Sequence, residues 1–477
     1  MYILKYPILS FFKRTVFKGG FVLLLDFLDM SCTEGAMYTE IYRQIAAAAA
    51  AGEIAEGERL PSIREAAAQL KVSRTTVENA YMRLCIEGIA ESRPQRGYYI
   101  SKKSERPYKK YEAEKETQKI LYDFSSQKID VNSADTALWR KTVRAALNDS
   151  EQLISYGDPQ GEPHLRRVLA AYAFKARGVI CNERNIVIGA GTGPLLHIIC
   201  GLLKGVNSVG IENGGFKQAE CIFGDYGILC NALESDSNGV KISALQATDS
   251  DVVFLMPSQL SKISVSGLSR RRAALSEWAG GKDGRIIIED DYNGELRYSA
   301  RGVPAFQGKE SERVIYIGSF SKLLLPSVRI AYMVLPDYLA DVFESRKNYY
   351  NQTCGKTEQL ALTSYIESGA LERHLRKLRK LYNRKSRILC DELKENISGF
   401  SSLELFETSL TVLLKTKYKA TSDELCKAAL ESGIRLIPSD RNGEVRLCFG
   451  GIMPEDIHSA VQEIDRCWNF NIGKTVF

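Results

Sequence analysis

Gly318-Ser319-Phe320-Ser321-Lys322 is the stretch around which the rest of the chain is organised, and Arg329 lies seven residues after its lysine. A lysine among hydroxyl side chains, followed at a fixed distance by an arginine, can hold an aldehyde on its amine and a phosphate on the neighbouring donors. Pyridoxal 5'-phosphate (PLP) carries both groups. In this interpretation Lys322 forms the internal aldimine, and the phosphate ligands are Ser319, Ser321 and Arg329. Alone, a Ser-x-Ser-Lys string more often contains an exposed, unreactive lysine, so other motifs must decide.

The length and composition are typical of a globular protein with more than one domain. The chain has 477 residues, of which 44% are hydrophobic and 26% are charged, and its net charge is +6. That charge is too small to indicate a nucleic-acid partner by itself. The 11 cysteines include no Cys-x-x-Cys pair and there are only four histidines, so no metal site is predicted. Scattered cysteines in a long chain indicate reduced thiols and therefore a cytoplasmic location.

Residues 1–36 are predicted to be an N-terminal extension. Their apolar run, residues 21–25, is too short to cross a bilayer and is followed by Asp26. Basic residues precede this run as they do in a signal peptide, but no small-residue cleavage site follows cleanly. We therefore expect a disordered extension or an over-long choice of start rather than a functional signal, and no membrane partner.

Residues 37–101 show the pattern of a winged helix-turn-helix. Apolar residues at helical spacing predict three helices, and Ser73 is the expected N-cap of the third helix, Arg74 to Glu87. Two extended segments, around residues 89–92 and 98–101, would form the wing. The start of the third helix would face the bases of the major groove, and other polar residues would face phosphates. The predicted DNA contacts are Ser62, Arg64, Ser73, Arg74, Thr75, Thr76, Arg96 and Gly97.

Total charge does not distinguish this interpretation from a small helical domain with a solvent-facing arginine helix, because residues 37–101 hold eight basic and eight acidic residues. Residues 102–122 differ, with seven basic and four acidic residues from Lys102 to Lys119 and almost no aliphatic side chains. Such a segment cannot bury enough apolar area to fold alone. It is predicted to be a flexible linker that is either simply solvated or in contact with the DNA backbone.

Residues 123–477 alternate short apolar runs with helical stretches. The runs lie at residues 186–188, 252–255, 285–288 and 314–317. This alternation predicts a mainly parallel sheet covered by helices on both faces, an α/β sandwich. Ligands bind at the carboxyl ends of the strands in such sheets, and the lysine stretch follows the last of these runs.

A glycine-rich turn, residues 189–193, follows the first of these runs and precedes a predicted helix. Gly191 and Thr192 would let backbone amides approach a phosphate, and the start of the helix would favour the anion. The alternative is an ordinary strand-to-helix turn with no phosphate, since such turns are often rich in glycine.

Glu289-Asp290-Asp291-Tyr292 follows the third run. A buried carboxylate can keep the ring nitrogen of PLP protonated, and Asp290 is assigned this role in preference to Asp291. Tyr292 would reach the phenolic oxygen of the cofactor. Without the other motifs, two acids after a strand would more often indicate a metal site or a solvated turn. The predicted catalytic residues are Lys322, Asp290 and Tyr292.

The motifs resemble two known families, and the resemblance covers roughly residues 37–470. The stretches that resemble the GntR-type winged helix are Leu60 to Arg64, Leu70 to Val77, Ala80-Tyr81, Leu84 and Glu87-Gly88. The stretches that resemble fold-type-I PLP aminotransferases are, in order, residues 155–161, 189–192, 289–292 and 318–322 with Arg329. The combination is similar to the MocR/GabR family of transcription regulators.

This resemblance implies a small C-terminal α+β subdomain and a domain-swapped, head-to-tail homodimer that binds PLP in its aminotransferase-like body. Tyr156 matches the tyrosine that reaches the phosphate in the neighbouring subunit's site. Phe216 matches the aromatic residue stacked on the PLP ring. Arg446 aligns with the arginine that binds the substrate carboxylate, so it is expected to bind the effector. A lone arginine in a strand can equally form a structural ion pair.

One loop departs from the family pattern. The family usually has Pro-Ser-His-Gln-aromatic-Pro-Thr-Gly where this chain has residues 257–264, Pro-Ser-Gln-Leu-Ser-Lys-Ile-Ser. The family's loop lies beside the pyridine ring. Any contact with the ring in this chain would therefore come from other side chains, such as Gln259 or Ser261.

The sequence leaves three functions open. The favoured one is a PLP-dependent, DNA-binding transcription regulator that senses an amine or amino-acid effector through an aldimine at Lys322, with little or no turnover. A dimer would read paired half-sites of a double-stranded operator. One alternative is a catalytically active aminotransferase with an accessory DNA-binding domain. The other is a sensor of PLP itself.

A basic stretch, residues 371–387, is not explained by these motifs. Its one acid is Glu372. Its basic residues are Arg373, Arg376, Lys377, Arg379, Lys380, Arg384, Lys385 and Arg387. Such a run is usually the solvated face of a helix. The alternative is a set of sequence-independent contacts with the DNA backbone, which would steepen the salt dependence of binding.

Overall fold

The computed structural model describes residues 37–101, 119–126, 128–130, 132–133, 136–212, 216–236, 238–257, 265–298 and 304–472. The chain divides into two compact units, the first ending at Lys115 and the second beginning at Glu116. The N-terminal extension and residues 102–118 of the predicted linker lie outside the described residues. Across the described ranges, no helix is long and apolar enough to cross a membrane. In the same ranges, no group of His, Cys, Asp or Glu side chains could hold a metal ion.

The first unit is a three-helix domain with a two-stranded wing, which confirms the predicted winged helix-turn-helix. Its elements are α1 (Met37–Ala51), α2 (Ile63–Leu70), α3 (Arg74–Ile86), β1 (Ala90–Arg93) and β2 (Gly97–Ile100). The two strands pair antiparallel, with Glu91 opposite Tyr99. The apolar faces of the helices meet in a small core that includes Ile41, Ile45, Val77, Tyr81 and Leu84. This core leaves the first residues of α3 in solvent.

The second unit contains a seven-stranded sheet. In spatial order its strands are β4 (Ile186–Gly189), β12 (Ala331–Val334), β11 (Val314–Ser319), β10 (Ile286–Asp290), β9 (Val252–Leu255), β5 (Ser208–Glu212) and β6 (Leu229–Leu233). β12 is antiparallel to both of its neighbours, and the remaining pairs are parallel. Every residue of β4, β9, β10, β11 and β12 is buried. The near-continuous Val and Ile runs follow from this burial on both faces.

Helices cover both faces of the sheet. They are α4 (Thr136–Leu147), α5 (Ser150–Leu153), α6 (Pro163–Arg177), α7 (Thr192–Leu202), α8 (Lys217–Asp225), α9 (Ile242–Gln246), α10 (Val265–Gly280), α11 (Asp337–Glu344) and α12 (Lys356–Glu367). Alternate residues of β4 show the two layers. Ile186 and Ile188 belong to the apolar cluster that contains Leu165 of α6, whereas Val187 belongs to the cluster that contains Leu195 of α7.

A smaller α+β part follows the long helix α13 (Ala370–Asn396). Its antiparallel sheet has the order β13 (Phe400–Phe406), β14 (Thr411–Thr416), β17 (Glu444–Cys448) and β16 (Ile437–Pro438). The accompanying helices are α14 (Ser422–Glu431) and α15 (Ile457–Asn471). Two short ribbons complete the second unit: β3 (Tyr122–Asp123) beside β15 (Ile434–Arg435), and β7 (Ser235–Asp236) beside β8 (Gly239–Val240). The α/β sandwich and its small C-terminal part are as predicted.

The body begins a few residues earlier than the sequence analysis placed it. The predicted linker runs to residue 122, yet the backbone nitrogen of Leu121 donates to the carbonyl of Gly433 at 2.8 Å, and Tyr122 pairs with Ile434. Composition alone could not locate this boundary, because backbone hydrogen bonds rather than an apolar run hold residues 121–123 in place.

Candidate cofactor site and nucleic-acid interface

Three of the predicted motifs lie at one edge of the seven-stranded sheet. β4 and β11 are both antiparallel to β12 and therefore run in the same direction, and β10 is parallel to β11. The last residues of these strands are Gly189, Asp290 and Ser319. In the ladder, Asp290 lies opposite Ile317, two residues before Ser319. The sheet thus brings together motifs that are about 30 to 130 residues apart in the sequence, as expected for the carboxyl ends of parallel strands.

Arg329 and the two serines form a cluster of donors beside the start of α7. The Nη1 atom of Arg329 lies 3.5 Å from the Oγ atom of Ser321, and the backbone nitrogen of Ser321 donates to the Oγ atom of Ser319 at 3.3 Å. Gly191 precedes Thr192 at the helix start and has a φ of +104°. A Cβ atom on Gly191 would lie 2.4 Å from the Nη2 atom of Arg329. The arrangement combines a guanidinium, two hydroxyls and a helix N-terminus, which suits a phosphate group.

The two adjacent aspartates have opposite environments. Asp291 accepts hydrogen bonds from Arg177, at 2.5 Å from Nε and 3.2 Å from Nη2, and from the hydroxyl of Tyr316 at 3.0 Å. Asp290 is also buried, but its Oδ1 atom has no hydrogen-bond partner in the described structure. Burial, together with the neighbouring charge of Asp291, raises the pKa of Asp290 to about 7. A protonated ring nitrogen would supply the missing partner, so the geometry fits PLP at Asp290 and not at Asp291.

Lys322 is buried at the same edge of the sheet. Its Nζ atom donates to the carbonyl of Ser409 at 3.2 Å and lies 5.4 Å from the centroid of the Tyr292 ring. Lys322 and Tyr292 are therefore close together, as the proposed site requires. Ser409 was not predicted. It precedes β14, and no local motif marks its carbonyl as a lysine partner.

Further buried groups lie on the other side of β10. Glu289 accepts hydrogen bonds from the backbone nitrogens of Phe306 and Gln307, and burial raises its pKa to about 7. Burial likewise raises the pKa of Glu295 to about 7. Arg177, which neutralises Asp291, was also missed in the sequence analysis. It is 114 residues from its partner, so sequence spacing offers no signal for the pair.

The two aromatic residues assigned by resemblance, Phe216 and Tyr156, differ in how far they are buried. Phe216 is half-buried before α8 and packs against the apolar cluster that contains Val187. Tyr156 is fully exposed in the single chain, at 104% of its reference area. One chain therefore does not enclose Tyr156 in its own site. Gln259 and Ser261 lie outside the described residues.

Arg446 is in the middle of β17, opposite Leu413 of β14 and Ile437 of β16. Its side chain is partly exposed. In the part of the chain that the structure describes, its guanidinium makes neither a hydrogen bond nor an ion pair. The structural ion pair that the sequence left open is therefore not formed within the described residues.

The predicted DNA contacts lie on the exposed parts of the first unit. Arg64, Arg74, Thr75 and Arg96 are exposed. The wing turn requires a glycine at its end, because Gly97 has a φ of +99° and a Cβ atom there would lie 3.4 Å from the Nε atom of Arg59. The position of Arg59 beside the wing was not predicted.

The serines predicted to contact DNA also cap helices. The Oγ atom of Ser73 accepts from the backbone nitrogen of Thr76 at 3.1 Å and lies 2.7 Å from the Oγ1 atom of Thr76. Ser62 forms a capping box with Glu65 at the start of α2. These bonds satisfy donors at the helix starts. Contact of Ser62, Ser73 or Thr76 with DNA remains a prediction.

Residues 37–100 match the family described as bacterial regulatory proteins, gntR family, and residues 285–464 match aminotransferase class I and II. The HTH-type transcriptional regulator YdeL of Bacillus subtilis is 31% identical over 448 residues, covering 91% of this chain and 96% of YdeL. The probable rhizopine catabolism regulatory protein MocR of Rhizobium meliloti is 25% identical over 461 residues, which cover 90% of this chain and 93% of MocR. The HTH-type pyridoxine biosynthesis transcriptional regulator PdxR of Corynebacterium glutamicum is 29% identical over 359 residues, which cover 74% of this chain and 78% of PdxR.

Solved structures match the second unit. A kynurenine aminotransferase of Pyrococcus horikoshii has a TM-score of 0.65 at 23% identity, covering 74% of this chain and 91% of that protein. At this identity the likeness establishes the fold alone. With the winged helix in front of that fold and a relative 31% identical over nearly its whole length, the chain belongs to the MocR/GabR family of transcription regulators, in which a GntR-type winged helix-turn-helix precedes an aminotransferase-like domain.

Proposed function

We propose that this transcription regulator binds PLP at the edge formed by β4, β10 and β11. The observation that carries the proposal is the Oδ1 atom of Asp290, which is buried and has no hydrogen-bond partner among the described residues. Such a group is costly unless a donor or cation satisfies it. The protonated ring nitrogen of PLP is a fitting partner, and the donors around Arg329 supply a phosphate site at the same edge.

Lys322 supplies the covalent attachment in this proposal. Its Nζ amine would hold the aldehyde carbon of PLP, and the bound cofactor would supply an electron sink for an amine attached at that carbon. The carbonyl of Ser409 holds the Nζ atom beside the ring of Tyr292. The hydroxyl of Tyr292 would donate to the phenolic oxygen of the cofactor.

The proposed effector is a primary amine or an amino acid. Its amine would displace the Nζ atom of Lys322 from the aldehyde carbon, and a carboxylate on the same molecule would bind Arg446. The unpaired state of the Arg446 guanidinium among the described residues supports this assignment. A guanidinium presents parallel donors that match a carboxylate.

The strand that carries Arg446 also holds the beginning of the body. The backbone nitrogen of Cys448, two residues after Arg446, donates to the carbonyl of Phe124 at 2.8 Å, and the nitrogen of Phe124 donates to the carbonyl of Arg435 at 2.9 Å. The segment that follows the linker is therefore bonded directly to β17. We propose that a shift of β17 on effector binding passes to the linker along these bonds and changes DNA affinity.

Gly433 provides a test of this route. It has a φ of +79°, and a Cβ atom there would lie 2.9 Å from the carbonyl of Lys119, next to the anchor at Leu121. Gly433→Ala should leave effector binding within about twofold while reducing its effect on DNA affinity. Gly227→Ala is the control, since Gly227 has a φ of +73° and open space around it. If effector binding changed DNA affinity equally in the two variants, communication through β17 and the linker would be excluded.

We further propose a homodimer in which Tyr156 completes the neighbouring subunit's phosphate site. Tyr156, Ile154 and Leu147 are large, exposed and within ten residues of each other, which is typical of an interaction surface. Mixing Lys322→Ala chains with Tyr156→Ala chains tests the arrangement. Half of the sites in mixed dimers would carry neither defect, so PLP binding should partly recover only if Tyr156 acts in the partner. We also propose a cytoplasmic location, which the DNA-binding first unit supports.

Turnover is the second candidate function. The proximity of Lys322 to the ring of Tyr292 and the aminotransferase fold support this candidate. An active aminotransferase would convert an amino acid and a 2-oxo acid steadily. A regulator would bind the amine once and retain it.

The experiment is an absorption titration of the purified protein with PLP, followed by a panel of amines, amino acids and 2-oxo acids. The regulator predicts a visible band that is absent in Lys322→Ala and that changes with one class of amine without sustained product formation. Steady product release would favour the aminotransferase. Lack of a Lys322-dependent band would contradict the cofactor assignment.

A further inference from the structure

The solvent face of α13 is a continuous row of positive charge. Leu375, Leu378, Tyr382 and Leu389 are on the buried face of the helix. The exposed basic residues on the opposite side, which we call the cationic stripe, are Arg373, Arg376, Lys377, Lys380, Arg384 and Arg387. Their spacing of one, three or four residues places them along one side of the helix. From Arg373 to Arg387 the stripe extends about 21 Å.

The structure separates two other basic residues of this helix from the stripe. Arg379 donates from Nε to the carbonyl of Glu295 at 2.6 Å. Lys385 is buried, pairs with Asp130 and donates to the carbonyl of Gly450 at 3.1 Å. These two side chains hold parts of the body together. The six stripe residues have no such role apart from a bond between Arg373 and the carbonyl of Ser368.

Nearby acids already have other partners. Glu372 pairs with Lys175 at 2.6 Å, and farther along the helix Asp391 pairs with Lys394. Glu392 bonds to His458. Within the described ranges, none of the six stripe residues forms an ion pair. Glu372 also lies near Arg376, but this single acid leaves most of the positive charge of the stripe uncompensated by the described body.

This arrangement is unfavourable for the helix alone. Like charges three or four residues apart, such as Arg376 with Lys380 and Lys380 with Arg384, destabilise a helix. A face that serves only solubility usually mixes both signs of charge. An external polyanion would offset this repulsion.

We propose that the cationic stripe contacts the phosphate backbone of the duplex DNA that the winged helix binds. A length of about 21 Å corresponds to roughly six base pairs of duplex, at about one phosphate charge per 1.7 Å of axis. The exposed stripe contains no aromatic side chain on which unpaired bases could stack, which favours a duplex over a single strand. The first unit is covalently joined to the body, so the duplex that it binds is present at high effective concentration.

The test uses the full-length protein, a labelled duplex of random sequence and binding isotherms between 50 and 300 mM salt. The stripe variant is Arg376→Gln, Lys380→Gln, Arg384→Gln and Arg387→Gln together. The control variant is Lys204→Gln, Lys309→Gln, Lys417→Gln and Lys427→Gln, which removes the same charge from exposed lysines without ion pairs. Both variants have the same net charge, so a general electrostatic effect would be equal in the two.

The stripe variant should bind at least tenfold more weakly at 100 mM salt than the control variant. The slope of log K against log salt is negative, and each lost phosphate contact should reduce its magnitude by about 0.9. A third variant, Arg376→Lys, Arg384→Lys and Arg387→Lys together, should retain the slope of the native protein, because it keeps the charge while changing the same three positions. Equal slopes in the stripe and control variants would overturn the proposal. So would a loss of dimer in the stripe variant with unchanged DNA slope, since the stripe would then bind a second copy of the chain.

Discussion

Asp290 and Asp291 are consecutive buried carboxylates, yet among the residues that the structure describes only Asp291 has a cationic partner, the guanidinium of Arg177. Asp291 therefore forms an ion pair within the body, whereas Asp290 is the carboxylate that we propose binds the cofactor. The two side chains point to opposite sides of β10, because successive residues of a strand alternate between its faces. Two adjacent acids can therefore have different partners.

Substitutions at the two positions should have different consequences. Asp290→Asn should keep the fold and weaken PLP binding by at least tenfold, because an amide cannot neutralise a protonated ring nitrogen. Asp291→Asn should destabilise the body by about 3–5 kcal/mol, because Arg177 would be a buried charge without its counter-ion. PLP titration by absorbance and urea unfolding of both variants provide the measurements. The same loss of PLP affinity and the same stability in both variants would contradict the assignment.

The pKa of Asp290 predicts a pH dependence for the protein without PLP. Burial raises this pKa to about 7, far above the ordinary aspartate value. The folded state therefore favours the protonated form, and this contribution to stability is present below about pH 4 and is lost as the pH rises through 7. Glu289 and Glu295 act in the same direction.

The contribution of Asp290 can be isolated by comparing native protein with Asp290→Asn at pH 5 and pH 8. The native protein should lose more stability than the variant over this range, and PLP should reduce the difference by giving Asp290 a partner. Unfolding free energies from urea titrations test the prediction. Parallel pH profiles for the two proteins would rule it out.

Gly191 should be necessary for the phosphate site. A Cβ atom there would displace the guanidinium of Arg329, and the φ of +104° adds backbone strain. Gly191→Ala should therefore weaken PLP binding by at least tenfold. Gly205→Ala is the matched control, since Gly205 has a φ of +79° and no atom within 4 Å; it should cost about 1 kcal/mol in stability and leave PLP affinity unchanged. Similar PLP affinities in the two variants would argue against a phosphate beside Arg329.

Arg74 at the start of α3 is predicted to read DNA. Arg74→Ala should reduce specific operator binding by at least tenfold while leaving the PLP spectrum intact, since α3 is in the first unit. Arg83→Ala is the control on the same helix. Arg83 is bonded to Glu87 at 3.1 Å and stacks over Tyr42, so its loss should affect stability slightly and DNA binding little. An operator sequence can be selected from a pool of random duplexes with the native protein. Its affinity for the Arg74→Ala and Arg83→Ala variants is then measured.

Arg446 should determine recognition of the effector carboxylate. Arg446→Ala should weaken the binding of a carboxylate-bearing amine by about 2–4 kcal/mol, which is 30-fold or more, because a charge-assisted contact is lost. PLP should stay attached. Arg441→Ala, in the exposed turn before β17, should bind the effector normally. Unchanged amine titrations in Arg446→Ala would remove this residue from the site.

The sequence was sufficient for the elements whose local pattern is strong. The third helix was predicted as Arg74 to Glu87 and is observed as Arg74–Ile86, because a serine cap and a glycine mark its ends. The strand predicted at residues 285–288 continues to Asp290. An apolar run ends at its first acid, but backbone donors of residues 306 and 307 allow Glu289 to be buried in the strand.

Contacts between distant segments could not be predicted in this way. The bond from Lys322 to the carbonyl of Ser409 spans 87 residues, and the anchor of Leu121 on Gly433 uses only backbone atoms. Neither depends on a residue type that the sequence pattern marks. The motifs identified the chemistry of the site, whereas its supporting contacts required the fold.

In the proposed mechanism, Lys322 converts the binding of an amine into a change in DNA affinity. The most direct measurement is the operator affinity of the PLP-loaded protein with and without the amine that alters its absorption band, compared with Lys322→Ala under the same conditions. We predict at least a fivefold change in the native protein and none in the variant. An equal response in both proteins, or no response in the native protein to any amine that alters its spectrum, would contradict the account.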